Sequence, residues 1–388
     1  MTDLALSDEQ EALRSSARAF LQRACPPEVV RRAGATDGEG HDADLWRGMA
    51  DLGWLGLAFP ESVGGGGGSL LDLAVVYEEA GRALVPTSLY STMEAALLID
   101  RAGDDGQRAA LLRPVFAGER VVSVARHEGG MRSSPDALTT TAAIQGGDVV
   151  VDGTKLFVPN AGVADVLVVV ARDPAATGAG AVRLVVVPTN APGVCRTRLA
   201  TFAHDAQHEV SFEAVRVPLD RVLACASSSA WAAVEEARRV ATALQCVEMV
   251  GGARAVLDLT IRYVTDRAQF GRPIGSFQAV QHHVADISTR IDAAGLAAWQ
   301  AVWWCSVGGD VDVPDADGDG LEARVAIAKV AAGDAYVEST LIAHQLHGGI
   351  GFTVDHDLHM WSDRARAAAL TLGSREDHLR TLGSLFGR

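Results

Sequence analysis

The chain has 388 residues and a formal net charge of −15 at pH 7, with 34 Lys and Arg residues against 49 Asp and Glu residues. This length suits two or three domains and allows a large buried core. The acidic excess argues against nucleic acid as a partner, because phosphate neutralisation needs a basic protein surface. The five cysteines are scattered and form no CxxC pair, which favours reduced thiols over a disulfide framework or a zinc site.

The sequence predicts neither a signal peptide nor a membrane-spanning segment. Residues 1–10 are polar and acidic, whereas a signal peptide needs an apolar stretch. The uninterrupted apolar runs, such as Val166–Val170, are shorter than the roughly 20 residues that cross a bilayer. We therefore expect a cytoplasmic protein.

The first predicted domain, residues 1–119, is helical. Apolar residues recur at helical spacing from Leu6 onward and again from Trp46 onward. Within this domain, Gly64–Gly68 places five glycines in a row. No Gly-Lys-Ser/Thr follows them, so a flexible turn is predicted here rather than a phosphate-binding loop.

The second predicted domain, residues 120–222, consists of short runs rich in β-branched residues that are separated by turn residues. The dipeptides Gly146-Gly147 and Asp152-Gly153 are typical of hairpin turns. A small β-domain is therefore predicted between two helical parts.

The third predicted domain, residues 223–388, returns to helical spacing, with one acidic, glycine-rich interruption at Gly308–Gly320. The stretch Asp315–Gly320 reads DADGDG, like the start of a calcium loop. The twelfth loop position is Ala326, where a bidentate glutamate is required. A helix–helix loop is predicted instead of a calcium site.

A polar corner joins two predicted helices of this third domain and reads RAQFGRPIGSFQAVQHHVAD, from Arg267 to Asp286. Helical spacing stops at Gly271 and Pro273 and resumes at Phe277. The corner has far more hydrogen-bonding capacity than a connection between two helices requires. We therefore predict that it holds a flat, charged ligand.

The corner motif resembles the signature of the acyl-CoA dehydrogenase family, and further segments resemble that family in the same order. These segments are LSDEQEALR (Leu6–Arg14), LGWLGLAFPESVGG (Leu52–Gly65), VRVPLDRVL (Val215–Leu223) and QLHGGIGFTVDHDLHMWSDRARA (Gln345–Ala367). The resemblance implies an α+β fold with an N-terminal helical domain, a middle β-domain and a C-terminal four-helix bundle, assembled as a dimer of dimers. It also implies FAD-dependent α,β-dehydrogenation of an acyl-CoA thioester in lipid metabolism, with electrons passed to an electron-transfer acceptor protein.

In this family the corner crosses a subunit interface to the FAD of a neighbouring subunit. The resemblance therefore implies that Arg267 pairs with the FAD pyrophosphate and that Phe270 packs at the adenine. A planar guanidinium suits a pyrophosphate better than an ammonium does. The cofactor-binding residues that the resemblance implies are Arg267, Gln269, Phe270, Phe277, Gln278, Gln345, Gly348, Gly349 and Ser374.

Two segments depart from the family pattern on the side of the FAD site that a subunit provides for itself. The family's T/AEPxAGSD-like loop reads VARHEGGMRSSPDA here, from Val124 to Ala137. The WITN-like strand that covers the flavin ring reads Phe157-Val158-Pro159-Asn160. We therefore expect this chain to hold the flavin ring weakly on its own.

The family's glutamate base is missing from both of its usual positions. The matching residues are Leu372 and Ala241, and neither side chain can accept a proton. General base catalysis contributes roughly 10²–10⁴ to a rate, so this loss needs an explanation. Two explanations remain open.

One explanation is a relocated base. Glu248 lies seven residues, or two helical turns, after Ala241 and therefore on nearly the same helix face. Its apolar surroundings are expected to raise its pKa towards a useful value. Asp363 and Glu376 are weaker candidates, because both stand among arginines.

The other explanation is a division of labour between subunits. Some members, similar to bacterial sterol side-chain dehydrogenases, are α2β2 heterotetramers in which one subunit type carries the base. The present chain would then be the homologous subunit without a base, and it would lend Arg267 and its neighbours to a partner's FAD.

Other classes of function are compatible with the same sequence. A flavin monooxygenase or a dehydratase of this fold would tolerate the loss of the glutamate, and so would a non-catalytic binding protein. No metal site is predicted, because His282, His283, His347, His356 and His359 show no metal-ligand spacing with carboxylates.

Overall fold

The computed structural model describes residues 5–35, 38–130, 134–225, 229–307 and 318–387. The predicted loop Gly308–Gly320 lies almost wholly outside the described residues. Within them, the helices are α1 (Asp8–Ala24), α2 (Pro27–Gly34), α3 (Ala43–Asp51), α4 (Leu70–Arg82), α5 (Ser88–Ala102), α6 (Asp105–Phe116), α7 (Ala230–Asp266), α8 (Gln278–Val307), α9 (Gly318–His347), α10 (Leu358–Leu370) and α11 (Arg375–Phe386). The strands are β1 (Val122–Ala125), β2 (Thr141–Gln145), β3 (Asp148–Pro159), β4 (Val166–Arg172), β5 (Val182–Pro188), β6 (Val194–Arg198), β7 (Gln207–Pro218), β8 (Ala268–Gln269) and β9 (Arg272–Pro273).

The predicted α+β fold is confirmed, since helical segments precede and follow a β-rich middle part along the chain. The chain divides into two compact units. The helical unit comprises Met1–Val30, Ser69–Val85 and Thr242–Arg388, and the sheet unit comprises Arg31–Gly68 and Pro86–Ala241. Each unit combines segments that are distant in sequence, and the domain limits of residues 119 and 222 stay a prediction.

Four helices begin at a capping box in the described part of the chain. In each box the N-cap side chain accepts from the backbone N–H three residues later, and that later side chain accepts from the N-cap N–H. This exchange satisfies two of the donors that every helix start leaves free. The pairs are Ser7 with Gln10, Ser69 with Asp72, Asp104 with Gln107, and Ser374 with Asp377.

The sheet unit contains one seven-stranded sheet in the order β1-β4-β2-β3-β7-β6, with β5 paired to β4. Gly146 and Gly147 form the predicted hairpin turn between β2 and β3, with φ of 63° and 93°. The second hairpin prediction, at Asp152-Gly153, is wrong. Gly153 lies inside β3 at a break in register, and a Cβ there would lie 2.7 Å from the Cα of Thr140. The positive φ of Gly153 accommodates a β-bulge and the close approach of the Thr140 backbone, and the chain does not reverse its direction here.

The five-glycine run is a turn, as predicted, but it is tightly held rather than flexible. Four consecutive N–H groups, those of residues 65–68, donate to carbonyl oxygens of residues 56–60 at 2.8–3.0 Å. A Cβ on Gly65 would lie 2.2 Å from the carbonyl oxygen of Phe59. Glycine is required at this position because only its backbone can pass so close to Phe59.

In the helical unit, α4 and α7 cross in backbone contact at two glycines. A Cβ on Gly81 would lie 2.0 Å from the carbonyl oxygen of Glu248, and a Cβ on Gly251 would lie 2.0 Å from that of Glu78. Both helices carry the same Glu-x-x-Gly spacing, so the contact is reciprocal. The crossing therefore depends on the absence of side chains at these two positions.

Among the described residues, α7 is the one helix that is long and apolar enough to cross a bilayer. The uninterrupted apolar runs considered in the sequence did not single out this helix. However, 78% of the most apolar 18-residue window of α7 is buried inside the protein. A buried core helix passes the same test, so this observation is weak evidence for membrane insertion.

Candidate functional site

The polar corner between α7 and α8 is a small hairpin formed by β8 and β9. The N–H of Ile274 donates to the carbonyl of Arg267 at 2.8 Å and closes its base. Phe270 and Gly271 occupy its tip with φ of 54° and 81°. A positive φ is unusual for an aromatic residue, and the Phe270 side chain is 92% exposed. The hairpin therefore presents an aromatic ring to its surroundings.

The polar side chains of the corner are directed outward. Arg267, Gln269 and Gln278 are all exposed, and neither Arg267 nor Gln278 has a side-chain partner among the described residues. Phe277 packs edge-to-face with Phe270, at 6.2 Å between ring centroids. These guanidinium and amide N–H donors, beside an aromatic ring, fit a phosphorylated, planar cofactor.

The segment that carries Gln345, Gly348 and Gly349, three of the residues predicted to bind FAD, lies next to the corner. The Tyr263 hydroxyl, at the end of α7, donates to the carbonyl of His347 at 3.1 Å, and the two rings stack at 4.3 Å. Gln345 is exposed, and a Cβ on Gly348 or Gly349 would meet no atom within 4 Å. The structure thus brings the two segments together and leaves room beside the two glycines.

Ser374 has a structural contact that sequence reasoning did not identify. It is the N-cap of α11, where its hydroxyl accepts from the N–H of Asp377 and donates to the Asp377 carboxylate at 2.7 Å. Its role in binding FAD stays a prediction, although its hydroxyl already has partners within the chain.

In the sheet unit, the loop that follows β1 is held by buried ion pairs. Arg126 donates to Glu94 at 2.7 Å, and the ammonium of Lys155 donates to Glu128 at 2.6 Å. Glu128 also accepts from the N–H and the hydroxyl of Thr139, both at 2.6 Å. Two charged side chains of this loop are therefore engaged by partners on α5 and β3, in a segment that departs from the family pattern.

The ion pair between Lys155 and Glu128 shifts the pKa of both groups. Burial favours the neutral form of Glu128, but the ammonium of Lys155 and the hydrogen bonds from Thr139 lower the pKa of this carboxyl to about 2. Burial lowers the pKa of Lys155 to about 8, although Glu128 opposes this shift. Both groups are thus charged at neutral pH inside the protein.

The strand that matches the family's flavin cover has one exposed aromatic residue and one buried amide. Phe157 is 56% exposed with φ of 54°. Asn160 is fully buried; its amide N–H group donates to the carbonyls of Glu39 and Gly40, and its amide oxygen accepts from Ser91 at 3.0 Å. Asn160 therefore has a structural role, and Phe157 is the member of this strand that can contact a ligand.

The two base positions are apolar and buried. Leu372 is 9% exposed and Ala241 is 8% exposed. The backbone of Leu372 has φ of 61°, and its carbonyl accepts from the His378 ring at 3.2 Å. Just before it, Lys329 donates to the carbonyl of Thr371 at 2.7 Å and also to that of Ala368. A buried ammonium therefore fixes the segment that carries the glutamate in other family members.

Glu248, the tentative base, is paired in the helical unit. Its carboxylate is 3.3 Å from Arg364, which also donates to the carbonyl of Val85 at 3.1 Å. Burial raises the pKa of Glu248, and Arg364 opposes this shift. Glu248 thus joins α7 to α10 electrostatically, and its catalytic role stays a prediction. Among the described residues, no group of three or more His, Cys, Asp and Glu side chains could hold a metal ion.

Family models match almost the whole chain. They are the acyl-CoA dehydrogenase N-terminal domain at residues 7–119, the middle domain at 124–215 and the C-terminal domain at 231–384. The chain belongs to the acyl-CoA dehydrogenase family. Its family is one of FAD-dependent oxidoreductases, so the predicted enzyme class and cofactor are confirmed at this level.

Relatives of known name extend the comparison. The acyl-CoA dehydrogenase IpdE2 of Mycolicibacterium smegmatis is 30% identical over 381 residues, which cover 97% of this chain and 98% of the relative. The solved structure of a variant of the Tcur3481-Tcur3483 steroid ACAD is 32% identical, with a TM-score of 0.84 and 98% of each chain covered. The ChsE4-ChsE5 complex from Mycobacterium tuberculosis is 25% identical, with a TM-score of 0.86 and coverage of 100% of this chain and 99% of the other.

Proposed function

We propose that this chain is the subunit without a base in a hetero-oligomeric acyl-CoA dehydrogenase, and that it completes the FAD site of a homologous partner. The observation that carries this proposal is the loss of the base at both usual positions. Leu372 and Ala241 are buried, apolar residues that cannot take the α-proton of a substrate. A carboxylate of the partner subunit takes that proton in the proposed assembly.

Bound FAD would supply the acceptor for the β-hydride of the acyl-CoA, and an acceptor protein would take the electrons. In the proposed assembly, this chain binds the pyrophosphate and the adenine of that cofactor rather than its flavin ring. Arg267 supplies a planar guanidinium for the pyrophosphate, with no side-chain partner among the residues that the structure describes, and Gln278 supplies an amide. Phe270 supplies an exposed aromatic face at the tip of the hairpin. We place the assembly in the cytoplasm.

Two further observations support the proposal. In the described part of the loop after β1, Arg126 and Glu128 are engaged in ion pairs with Glu94 and Lys155, so neither is free to contact a flavin ring. Two of the solved relatives carry names that join two components, Tcur3481-Tcur3483 and ChsE4-ChsE5. A two-component assembly accounts for both the lost base and the retained corner.

The flavin content of the protein purified alone tests this proposal. We expect much less than one FAD per chain, because the two segments that hold the flavin ring in the family depart from the family pattern in this chain. The visible absorption spectrum, compared with the protein concentration, gives the ratio. A ratio near one FAD per chain would overturn the proposal.

The same measurement on a complex with a base-bearing homologue tests whether the corner of this chain contributes to FAD binding. Arg267→Gln in this chain is expected to lower the FAD content of that complex. Arg290→Gln is the matched control, since Arg290 is an exposed arginine of α8 that pairs with Glu338 and lies outside the corner.

A second candidate function is a self-sufficient dehydrogenase that uses Glu248, and the raised pKa of that carboxyl favours it. If Glu248 is the base, Glu248→Gln abolishes turnover of an acyl-CoA and leaves FAD binding intact. Glu78→Gln is the matched control, because Glu78 is also a buried glutamate at the crossing of α4 and α7 and pairs with Arg254. Equal turnover in the two variants would exclude Glu248 as the base.

Oxygen consumption by an FAD-loaded sample would instead indicate a monooxygenase of the same fold.

A further inference from the structure

A cavity of about 390 Å³ lies within the helical unit, and it contains none of the residues predicted to bind FAD. It is bounded by α1, the first turn of α2, the C-terminal end of α4, the second half of α7 and the first turn of α10. Its wall is mostly apolar and includes Leu21, Pro26, Leu84, Leu259, Met360 and Trp361. A wall of this kind can pack against a hydrocarbon chain or an aromatic ring.

The residues that line the cavity include three arginines and only two carboxylates. Arg18 binds Glu79 with two hydrogen bonds of 2.6 and 2.8 Å, and Arg82 pairs with Asp258. Both carboxylates of the cavity are therefore already neutralised by arginines. Arg262 is exposed, lines the cavity and has no partner among the described residues.

A second donor at this wall also lacks an acceptor. The indole nitrogen of Trp361 is buried and makes no hydrogen bond within the described part of the chain. An indole N–H can only donate, so it can pair with an acceptor and not with another cation. Both unpaired groups of the cavity are donors, so each can bind only an acceptor.

We propose that this cavity binds an amphipathic monocarboxylate, with its carboxylate at Arg262 and its apolar body against Leu259 and Met360. The charge complementarity of Arg262 selects an anion, and the apolar wall selects a hydrocarbon. The volume is at the lower end of the roughly 300–1,000 Å³ range of ligand pockets, which suits a small acid rather than a CoA thioester. The site is separate from the corner at Arg267 and does not depend on the proposed subunit role.

Isothermal titration of the purified full chain with octanoate tests the proposal, with octan-1-ol as the uncharged counterpart. We expect octanoate to bind and octan-1-ol to bind at least roughly tenfold more weakly, because the alcohol makes no ion pair with Arg262. Arg262→Gln is expected to weaken octanoate by a similar factor. Arg23→Gln is the matched control, since Arg23 is an exposed arginine of α1 that does not line the cavity.

A second variant fills the cavity without touching its charges. Ala255 lines the cavity on α7 and is partly exposed, so Ala255→Leu is expected to fold and to reduce octanoate binding. A thermal melt of each variant verifies that it is folded. The proposal is wrong if millimolar octanoate gives no heat of binding. It is equally wrong if octanoate and octan-1-ol bind alike, or if neither Arg262→Gln nor Ala255→Leu weakens the binding.

These outcomes are distinct from those of the proposed subunit role. The titration adds neither FAD, acyl-CoA nor a partner, and its readout does not depend on how much flavin the purified chain carries. Conversely, a failure of octanoate to bind would not alter the conclusions drawn from the flavin measurement.

Discussion

Gly251→Ala is expected to destabilise the helical unit by about 3 kcal/mol or more. The new Cβ would lie 2.0 Å from the carbonyl oxygen of Glu78, which is a backbone atom of α4 and cannot rotate away. Alanine favours a helix over glycine by only about 1 kcal/mol, so its better propensity cannot offset the clash. The helices α4 and α7 would have to separate, which would also disturb the buried carboxylates of Glu78 and Glu248.

Urea unfolding followed by circular dichroism measures this effect, and the helical unit itself provides a control. Gly383 lies in α11, and a Cβ there would meet no atom within 4 Å. Gly383→Ala is therefore expected to be neutral or stabilising by up to about 1 kcal/mol. Equal stability of Gly251→Ala and the wild type would mean that the two helices are not in backbone contact.

Lys155→Met is expected to destabilise the sheet unit by about 3–5 kcal/mol at neutral pH. The substitution removes the cation from a fully buried position and leaves Glu128 charged without its partner. An uncompensated buried charge costs more than the pair itself contributes. The double variant Lys155→Met with Glu128→Gln is expected to recover much of the loss, because no charge is then left unpaired. A double variant no more stable than Lys155→Met alone would show that Lys155 acts through packing and not through the ion pair.

The same pair predicts the direction of a pH dependence. The pKa of Glu128 in the folded protein is about 2, below its ordinary value of 4.5. The unfolded chain therefore binds more protons between these values, so stability is fully present above pH 4.5 and is lost as the pH falls towards 2. In Lys155→Met the main lowering influence is absent and burial raises the pKa of Glu128. Acid denaturation of that variant should then begin at a higher pH than in the wild type.

Local sequence patterns were sufficient for the order of the elements and for the corner. Helical spacing ended at Gly271 and Pro273, and the structure has its hairpin there. Gly146-Gly147 was predicted as a hairpin turn because the sequence pattern of such a turn lies within four consecutive residues. Asp152-Gly153 has a similar local signal, yet it forms a bulge, because the close approach of Thr140 decides its conformation. Thr140 directly precedes β2, so its approach to Gly153 depends on the pairing of β2 with β3.

Interactions between distant segments could not be predicted in this way. The contact between Gly81 and Glu248 joins two helices that are far apart in the sequence. The sequence of neither helix shows that its glycine faces the backbone of another helix. Glu248 was singled out for its apolar surroundings, and its burial followed from that pattern. Its partner Arg364 lies on another helix, so the ion pair that competes with catalysis was not visible in the sequence. The segment at Leu372 was located by its motif, whereas the hydrogen bond from Lys329 required the fold.

The burial of Lys155 and Lys329 has a practical consequence for experiments on the assembly. They are the only two lysines of the chain, and they are 0% and 2% exposed. Amine-reactive reagents should therefore find no lysine side chain on the folded surface, and their incorporation at these two residues would report unfolding. Lysine-directed cross-linkers would fail to capture a partner from this side. The acidic surface makes carbodiimide coupling through Asp and Glu the suitable chemistry for mapping which chain this protein binds.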